Sequence, residues 1–263
     1  MWRCRASAGA VALSAAFSLP LTPALPETPV ALELVLAVDV STSIDRREYA
    51  LQMRGLAEAF RSRQVIEAIT GAAPGGIAVA LLQWAGTGEH KLVVPWRFVR
   101  DTADAEAMAA RVDVALRLQA RGGTAIGEAI QLASRLFDEN GYAGQRRVVD
   151  VSGDGRANQG LVAGSARDAA VARGITINGL AILNEEPALD LYYQLNVIGG
   201  AQAFVLSTDD FKDFARAIRA KLVREIAGMR LAGSDIGAIS SSDRPAFRRG
   251  PLRSAPKGRL SYN

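Results

Sequence analysis

An almost unbroken apolar run, Leu-Glu-Leu-Val-Leu-Ala-Val at 32–38, ends on an aspartate and two alternating hydroxyls, in Asp39-Val40-Ser41-Thr42-Ser43. A strand without polar alternation has to be covered on both faces, which points to a parallel sheet between helical layers. The rest of the chain repeats the theme. Residues 45–62 carry helical spacing through Tyr49, Met53, Leu56 and Phe60. "GIAVALLQW" at 76–84 is a second buried strand, and 91–99 a third whose Pro95 suits an edge. Helices are expected over 104–118 and 125–137, broken by "RGGT", before a fourth strand at 146–152 that ends on "GDG". A helix at 162–173, a strand at 175–182, a loop with a short helical stretch at 183–200, a strand at 203–207 and a last helix over 209–230 complete the pattern. Such alternation is the signature of an α/β fold. No internal repeat or linker divides residues 27–231, so one domain is expected there.

Both ends differ in composition from the middle. Arg3 and Arg5 precede an apolar stretch over 8–19, and Ala24 offers a small-residue cleavage position. Residues 1–24 therefore read as an export signal, too short in its apolar part to span a bilayer, which needs about 20 residues. The expected mature chain is periplasmic or secreted, without a transmembrane segment. It also lacks cysteine, since the only one is Cys4, so disulfides are excluded. Residues 232–263 are rich in Ser, Gly, Pro and Arg without hydrophobic period, and read as a disordered basic tail.

The formal charge of +4 belongs to those ends. Residues 1–24 hold two arginines and no acid, and residues 232–263 six basic and two acidic groups. The middle keeps 23 basic and 25 acidic groups, with no basic stripe interleaved with aromatics. Nucleic acid is not an expected partner.

In an open α/β sheet the functional rim lies at the carboxyl ends of the parallel strands. Asp39 ends the first strand and Asp154 follows the fourth. If the edge strand returns antiparallel, the "RGGT" break brings Thr124 to the same rim. Asp39, Ser41, Ser43, Thr124 and Asp154 then offer five oxygens from three loops, two of them charged. That donor set suits a hard divalent cation such as Mg2+, which takes about six oxygens at roughly 2.0–2.1 Å and keeps several waters. Without a cation, two carboxylates about 4 Å apart would repel by roughly 4 kcal/mol at an effective dielectric of 20.

The segments "DVSTS" at 39–43, "GGTAIGEAI" at 122–130 and "VSGDG" at 151–155 resemble the three-part metal-ion-dependent adhesion site of von Willebrand factor type A domains. "IAVALLQWAG", "VVPW", "RRVVDVSGDG", "GITINGLAI" and "VIGG" further resemble a bacterial exported subfamily catalogued as a domain of unknown function. The resemblance covers about residues 30–230. It implies a Rossmann-like open sheet, mostly parallel with one antiparallel edge strand and helices on both faces. It also implies a metal, Mg2+ with Mn2+ or Ca2+ as alternatives, that bridges to a partner protein's Asp or Glu. Thr42 stands where many such domains have glycine.

Simpler readings exist for each residue. Ser43 or Asp45 could cap the following helix, Thr124 could cap the helix after it, and Asp154 could be a turn residue before Gly155. Arg121 and Arg156 flank the ligand loops and either favour an anionic partner or are solvated surface groups. Glu185, Glu186, Asp190, Tyr192 and Tyr193 follow the fifth strand and either shape partner choice or form a solvated loop. Enzyme readings find little purchase. The one histidine, His90, lies in a turn, no G-x-S-x-G elbow or Walker lysine motif occurs, and Ser41 stands where aspartyl phosphatases carry a second carboxylate. The expected function is an exported, metal-dependent protein-binding module. The alternatives are a Mg2+-dependent hydrolase and an envelope protein whose metal only staples loops.

Overall fold

The computed structural model describes residues 27–138 and 140–228; the expected leader, Cys4 and the expected tail lie outside the described residues. A short strand, β1 (Thr28–Val30), precedes β2 (Leu32–Asp39). Helices α1 (Arg46–Arg61) and α2 (Arg63–Thr70) lead to β3 (Ile77–Trp84) and β4 (His90–Val99). Helices α3 (Thr102–Asp113) and α4 (Ile126–Arg135) precede β5 (Tyr142–Gly144) and β6 (Arg147–Gly153). Then come α5 (Ala163–Ala172), β7 (Ile175–Ile182), α6 (Leu189–Asn196), β8 (Val205–Thr208) and α7 (Phe214–Ala227).

Six strands form the main sheet in the order β4-β3-β2-β6-β7-β8, all parallel except the β3–β4 pair. β4 is the edge, as Pro95 requires, and its register with β3 shifts around that residue. The apolar run of β2 is split between two cores. Leu32, Leu34, Leu36 and Val38 face α1, α2, α3 and α7, where Met53, Leu56, Phe60, Met108, Phe214 and Leu222 cover them. Val35 and Ala37 face α4, α5 and α6, with Ile126, Ile130, Ala166 and Tyr193. Burial on both faces explains the missing polar alternation.

Several boundaries differ from expectation. The first helix divides at Ser62, whose extended backbone ends α1 and whose hydroxyl accepts from Val65 N–H at 3.4 Å to start α2. Helix α3 begins earlier because Asp101 caps it, accepting from Asp104 N–H at 2.9 Å. It stops at Asp113 rather than 118, and residues 114–125 carry no helix or strand. α7 starts at Phe214, five residues later than expected, because Asp210 accepts from Lys212 N–H and holds a turn. The pair β1–β5 was not expected at all. It is a separate two-stranded parallel sheet fastened to β2 by the buried Glu33, which accepts from Gly144 N–H (2.7 Å) and Asn140 Nδ2 (2.5 Å).

Against the middle of β6 and β7 lies a second buried charged group. Lys221 of α7, fully buried, reaches Asp150 of β6 at 2.8 Å and Glu225 at 2.5 Å, and Asn178 of β7 donates to Glu225 at 3.0 Å. One ammonium faces two carboxylates. Burial and then the charge of Glu225 push the Asp150 carboxyl up to about 7, against the pull of Lys221. Removing the one cation leaves both acids uncompensated, a change that typically costs 3–5 kcal/mol. Lys221→Met is therefore expected to lower unfolding free energy by about that amount in urea titrations at pH 8. Asp150 also sets a pH slope. The folded chain keeps this proton up to about pH 7 while the unfolded chain releases it near 3.8, so stability falls as pH rises between those values. Asp150→Asn should flatten the fall in urea midpoint between pH 5 and 7; an unchanged slope would assign it to other groups.

Candidate metal centre

β2 and β6 are adjacent and parallel, so the sheet delivers both of their carboxyl ends to one place. Asp39, the last residue of β2, is fully buried, and so is Asp154, just past β6. The chain between Asp39 and α1 folds as a turn, with Ile44 N–H donating to the Ser41 carbonyl at 3.2 Å. Within it Ser41 N–H donates to Asp39 Oδ1 at 2.8 Å, and the Ser41 and Ser43 hydroxyls lie 3.1 Å apart. Ser43 then donates to Asp154 Oδ1 at 2.9 Å. Four of the five expected residues thus form one continuous hydrogen-bonded chain. Capping is left to Asp45, which exchanges hydrogen bonds with Glu48 in a capping box at the start of α1.

Thr124 arrives from the third loop. Its N–H donates to Asn158 Oδ1 at 2.8 Å and its carbonyl accepts from Asn158 N–H at 3.0 Å, which ties it to the chain after Asp154. Its hydroxyl lies 3.9 Å from where a Cβ on Gly155 would be. The cap-only reading of Thr124 does not hold, because α4 is preceded by Ala125 and has no side-chain cap. Gly123 is needed there for two reasons. Its φ is +88°, and a Cβ would sit 2.3 Å from the Gln159 side-chain amide.

The second oxygens of the two aspartates, Asp39 Oδ2 and Asp154 Oδ2, are buried and have no hydrogen-bond partner. Burial, then the charge of Asp154, pushes the Asp39 carboxyl up to about 7, against the Ser41 hydrogen bonds and Arg117. Asp154 is raised by burial too, although Ser43 opposes it. Buried polar atoms without partners are rare because each forfeits its hydration. Two free carboxylate oxygens close to the Ser41 and Ser43 hydroxyls, with Thr124 approaching from the third loop beside Gly155, make a donor set that suits a hard divalent cation. Among the described residues no group of three or more His, Cys, Asp or Glu converges.

The neighbouring residues divide differently from expectation. Arg121 pairs with Glu89 at 3.1 Å, and Arg156 pairs with Glu186 at 2.6 Å while stacking 5.3 Å over Tyr192. Neither arginine brings an uncompensated charge to the rim. Tyr193 does not belong to a solvated loop. Helix α6 turns it inward, fully buried, and its hydroxyl and Asp39 Oδ2 each lie 2.9 Å from the place a Gly153 Cβ would take. Gly153 keeps that space open. Burial, with Asp39 and Asp154 nearby, holds the Tyr193 hydroxyl well above its ordinary range, so it stays protonated and able to donate. Glu185 is exposed, Asp190 accepts from Leu191 N–H, and His90 is an exposed residue at the start of β4. Sequence reading missed Arg117, which donates to three carbonyl oxygens of the 39–45 loop, and Gln52, fully buried, whose Nε2 donates to the Asp39 carbonyl at 3.1 Å. Gln52 sits at a buried position of α1 and was legible only as an unexplained polar group on an apolar face.

The family model described as a protein of unknown function (DUF1194) matches residues 29–230. No curated protein matches the chain. Among solved structures, proximal thread matrix protein 1 from the mussel byssus, in a form with a zinc-occupied MIDAS (metal-ion-dependent adhesion site) motif, superposes with a TM-score of 0.55 at 16% identity, over 77% of this chain and 50% of that one. A von Willebrand factor type A protein from Catenulispora acidiphila gives 0.51 at 21% identity, over 76% and 43%. The von Willebrand domain of the type V pili tip protein Mfa5 from Porphyromonas gingivalis gives 0.50 at 11% identity, over 75% and 95%. This chain spans about half the length of the mussel protein. Identities this low speak to fold alone, and the sheet order with its antiparallel edge agrees with them. The chain belongs to the DUF1194 family and has the fold of a von Willebrand factor type A domain.

Proposed function

We propose that this protein is an exported, non-catalytic binding module whose partner docks through a divalent cation. In this reading Asp39, Ser41, Ser43, Thr124 and Asp154 hold the ion, directly or through water, with Mg2+ as first choice and Mn2+ or Ca2+ as alternatives. The observation that carries it is the pair of buried carboxylate oxygens without partners, Asp39 Oδ2 and Asp154 Oδ2, on two carboxylates that Ser41 and Ser43 link through their other oxygens. When bound, the ion supplies a Lewis-acidic coordination position open to an oxygen ligand from outside. Asp39 and Asp154 balance its charge, and Ser43 fixes the Asp154 carboxylate. The mussel neighbour with zinc in its MIDAS motif supports a divalent ion at this place in the fold. The pili tip neighbour supports an exported place for a domain of this fold.

A partner Asp or Glu suits the open position. Two aspartates only neutralise a divalent ion, and Arg121 and Arg156 are already paired, so the pull on an incoming carboxylate comes from the ion itself. Export rests on the charged and apolar residues of the leader and on Ala24. Among the described residues no helix is long and apolar enough to cross a membrane.

Ion binding to the folded state alone should raise stability by mass action, about 2.7 kcal/mol at a hundredfold excess over Kd. For a domain of this size that is a rise in Tm of roughly 5–10 °C, read by thermal unfolding with Mg2+ against chelator. Asp39→Asn should abolish the rise, and in chelator at pH 8 it should unfold at a higher temperature than the wild type, because a buried charge with one unpartnered oxygen beside a second carboxylate is gone. A full Mg2+ response in Asp39→Asn would remove that residue from the site.

Binding is tested by retaining partners from an envelope extract on the immobilised chain. Chelator, Asp39→Asn or Thr124→Ala should each release what is retained while circular dichroism stays native. Replacing one acidic residue of the partner should weaken capture by about 2–4 kcal/mol, the scale of an interface hot spot. Retention undiminished in chelator would leave the ion as a loop staple and overturn the adhesion reading.

A further inference from the structure

Residues 114–125 carry no helix or strand, yet their backbone is fixed from the core. The Tyr49 hydroxyl donates to the Ala115 carbonyl at 2.8 Å. Gln83, fully buried at the end of β3, donates to the Tyr49 hydroxyl at 2.9 Å and accepts from Leu118 N–H at 2.7 Å. These contacts present Arg117 to the 39–45 loop. Its Nη2 donates to the carbonyl oxygens of Val40 (3.1 Å), Ser41 (3.0 Å) and Ile44 (2.5 Å), and the guanidinium lies 5.5 Å from the centre of the Tyr49 ring. One nitrogen has two N–H groups, so the three acceptors share them.

A guanidinium repels a cation, so its place beside this loop needs a reason. The peptide joining Val40 to Ser41 supplies one. In a trans peptide the C=O and N–H point in opposite directions. With the Val40 carbonyl drawn to Arg117, the Ser41 N–H faces Asp39 and donates to its Oδ1 at 2.8 Å. That occupies one Asp39 oxygen and leaves Oδ2 free.

We infer that Arg117 is a positioning residue for the metal loop. It orients the Val40–Ser41 peptide, and through it the Asp39 carboxylate, so that the ligands of the 39–45 loop share one aim. The inference rests on the metal reading above. A residue that only braces the loop stabilises the protein equally with and without the ion; a positioning residue changes the affinity for the ion.

The test is calorimetric titration of Mg2+, and separately Mn2+, into the chelator-stripped full chain as wild type, Arg117→Met and Arg117→Lys. Arg117→Met should weaken binding by about 10–100-fold, the usual effect of losing a group that orients metal ligands. Arg117→Lys keeps the charge without the planar fork and should still lose several-fold. Hydrogen exchange at the Ser41 amide should quicken in both variants. Thermal unfolding in chelator reports any general loosening separately. Wild-type affinity in Arg117→Lys overturns the inference whatever happens to Tm, and that variant decides the matter if Arg117→Met does not fold. A wild-type chain that binds neither cation is a different result: it removes the metal reading itself, and this inference with it.

Discussion

Two carboxylates share a buried place at the centre of the sheet's rim, and one oxygen of each has no partner. That arrangement costs free energy in any protein without a compensating cation. The architecture makes it unavoidable, because β2 and β6 are parallel neighbours and each ends on, or just before, an aspartate. Everything around the pair limits the cost without removing it. Ser41 N–H and Ser43 each satisfy one carboxylate oxygen, and Gln52 takes the Asp39 carbonyl. The other oxygen of each aspartate has no partner in the chain.

The contrast with the Lys221 cluster is instructive. There too a carboxylate pair is buried, Asp150 with Glu225, but the chain supplies its own cation in Lys221. Asp150 lies within β6 and Asp154 just past its end, four residues on, so one strand and the loop after it serve two carboxylate pairs. The first has an internal ammonium beside it; the second, equally buried, makes no ion pair among the described residues. Of the rim arginines, Arg121 and Arg156 pair with Glu89 and Glu186, and Arg117 spends its hydrogen bonds on backbone carbonyls of the 39–45 loop.

The six strands of the main sheet and the three ligand segments were legible in the sequence, because burial on both faces demands long apolar runs and the fold places its polar loops at their ends; the short pair β1–β5 was not. Asp39, Ser41, Ser43 and Asp154 could be grouped once the strands were ordered, and Thr124 once Pro95 marked an edge. What escaped depends on contacts distant in sequence. Ser62 interrupts a continuous helical pattern by capping its own successor, and the period on either side hides the break. The end of α3 is fixed by Gln83 and Tyr49, neither of which lies in that helix. Arg117 works on backbone carbonyls more than 70 residues earlier, and a carbonyl leaves no mark in a sequence. Tyr193 looked like a loop residue until α6 packed it beneath Asp39.

Glu33 has a further consequence for strand β2. A strand buried on both faces carries no inside–outside alternation, so its hydrophobic pattern alone tolerates sliding against its neighbours. β2 has an acid near each end instead. Glu33 is held by Gly144 and Asn140 at the bottom, and Asp39 by the turn at the top. Any slip along β3 or β6 would drag one of these carboxylates into the aliphatic middle of the sheet, stripped of its donors. The two acids act as pegs at opposite ends of a rail, and they allow the central strand a single alignment with the segments that carry Thr124 and Asp154.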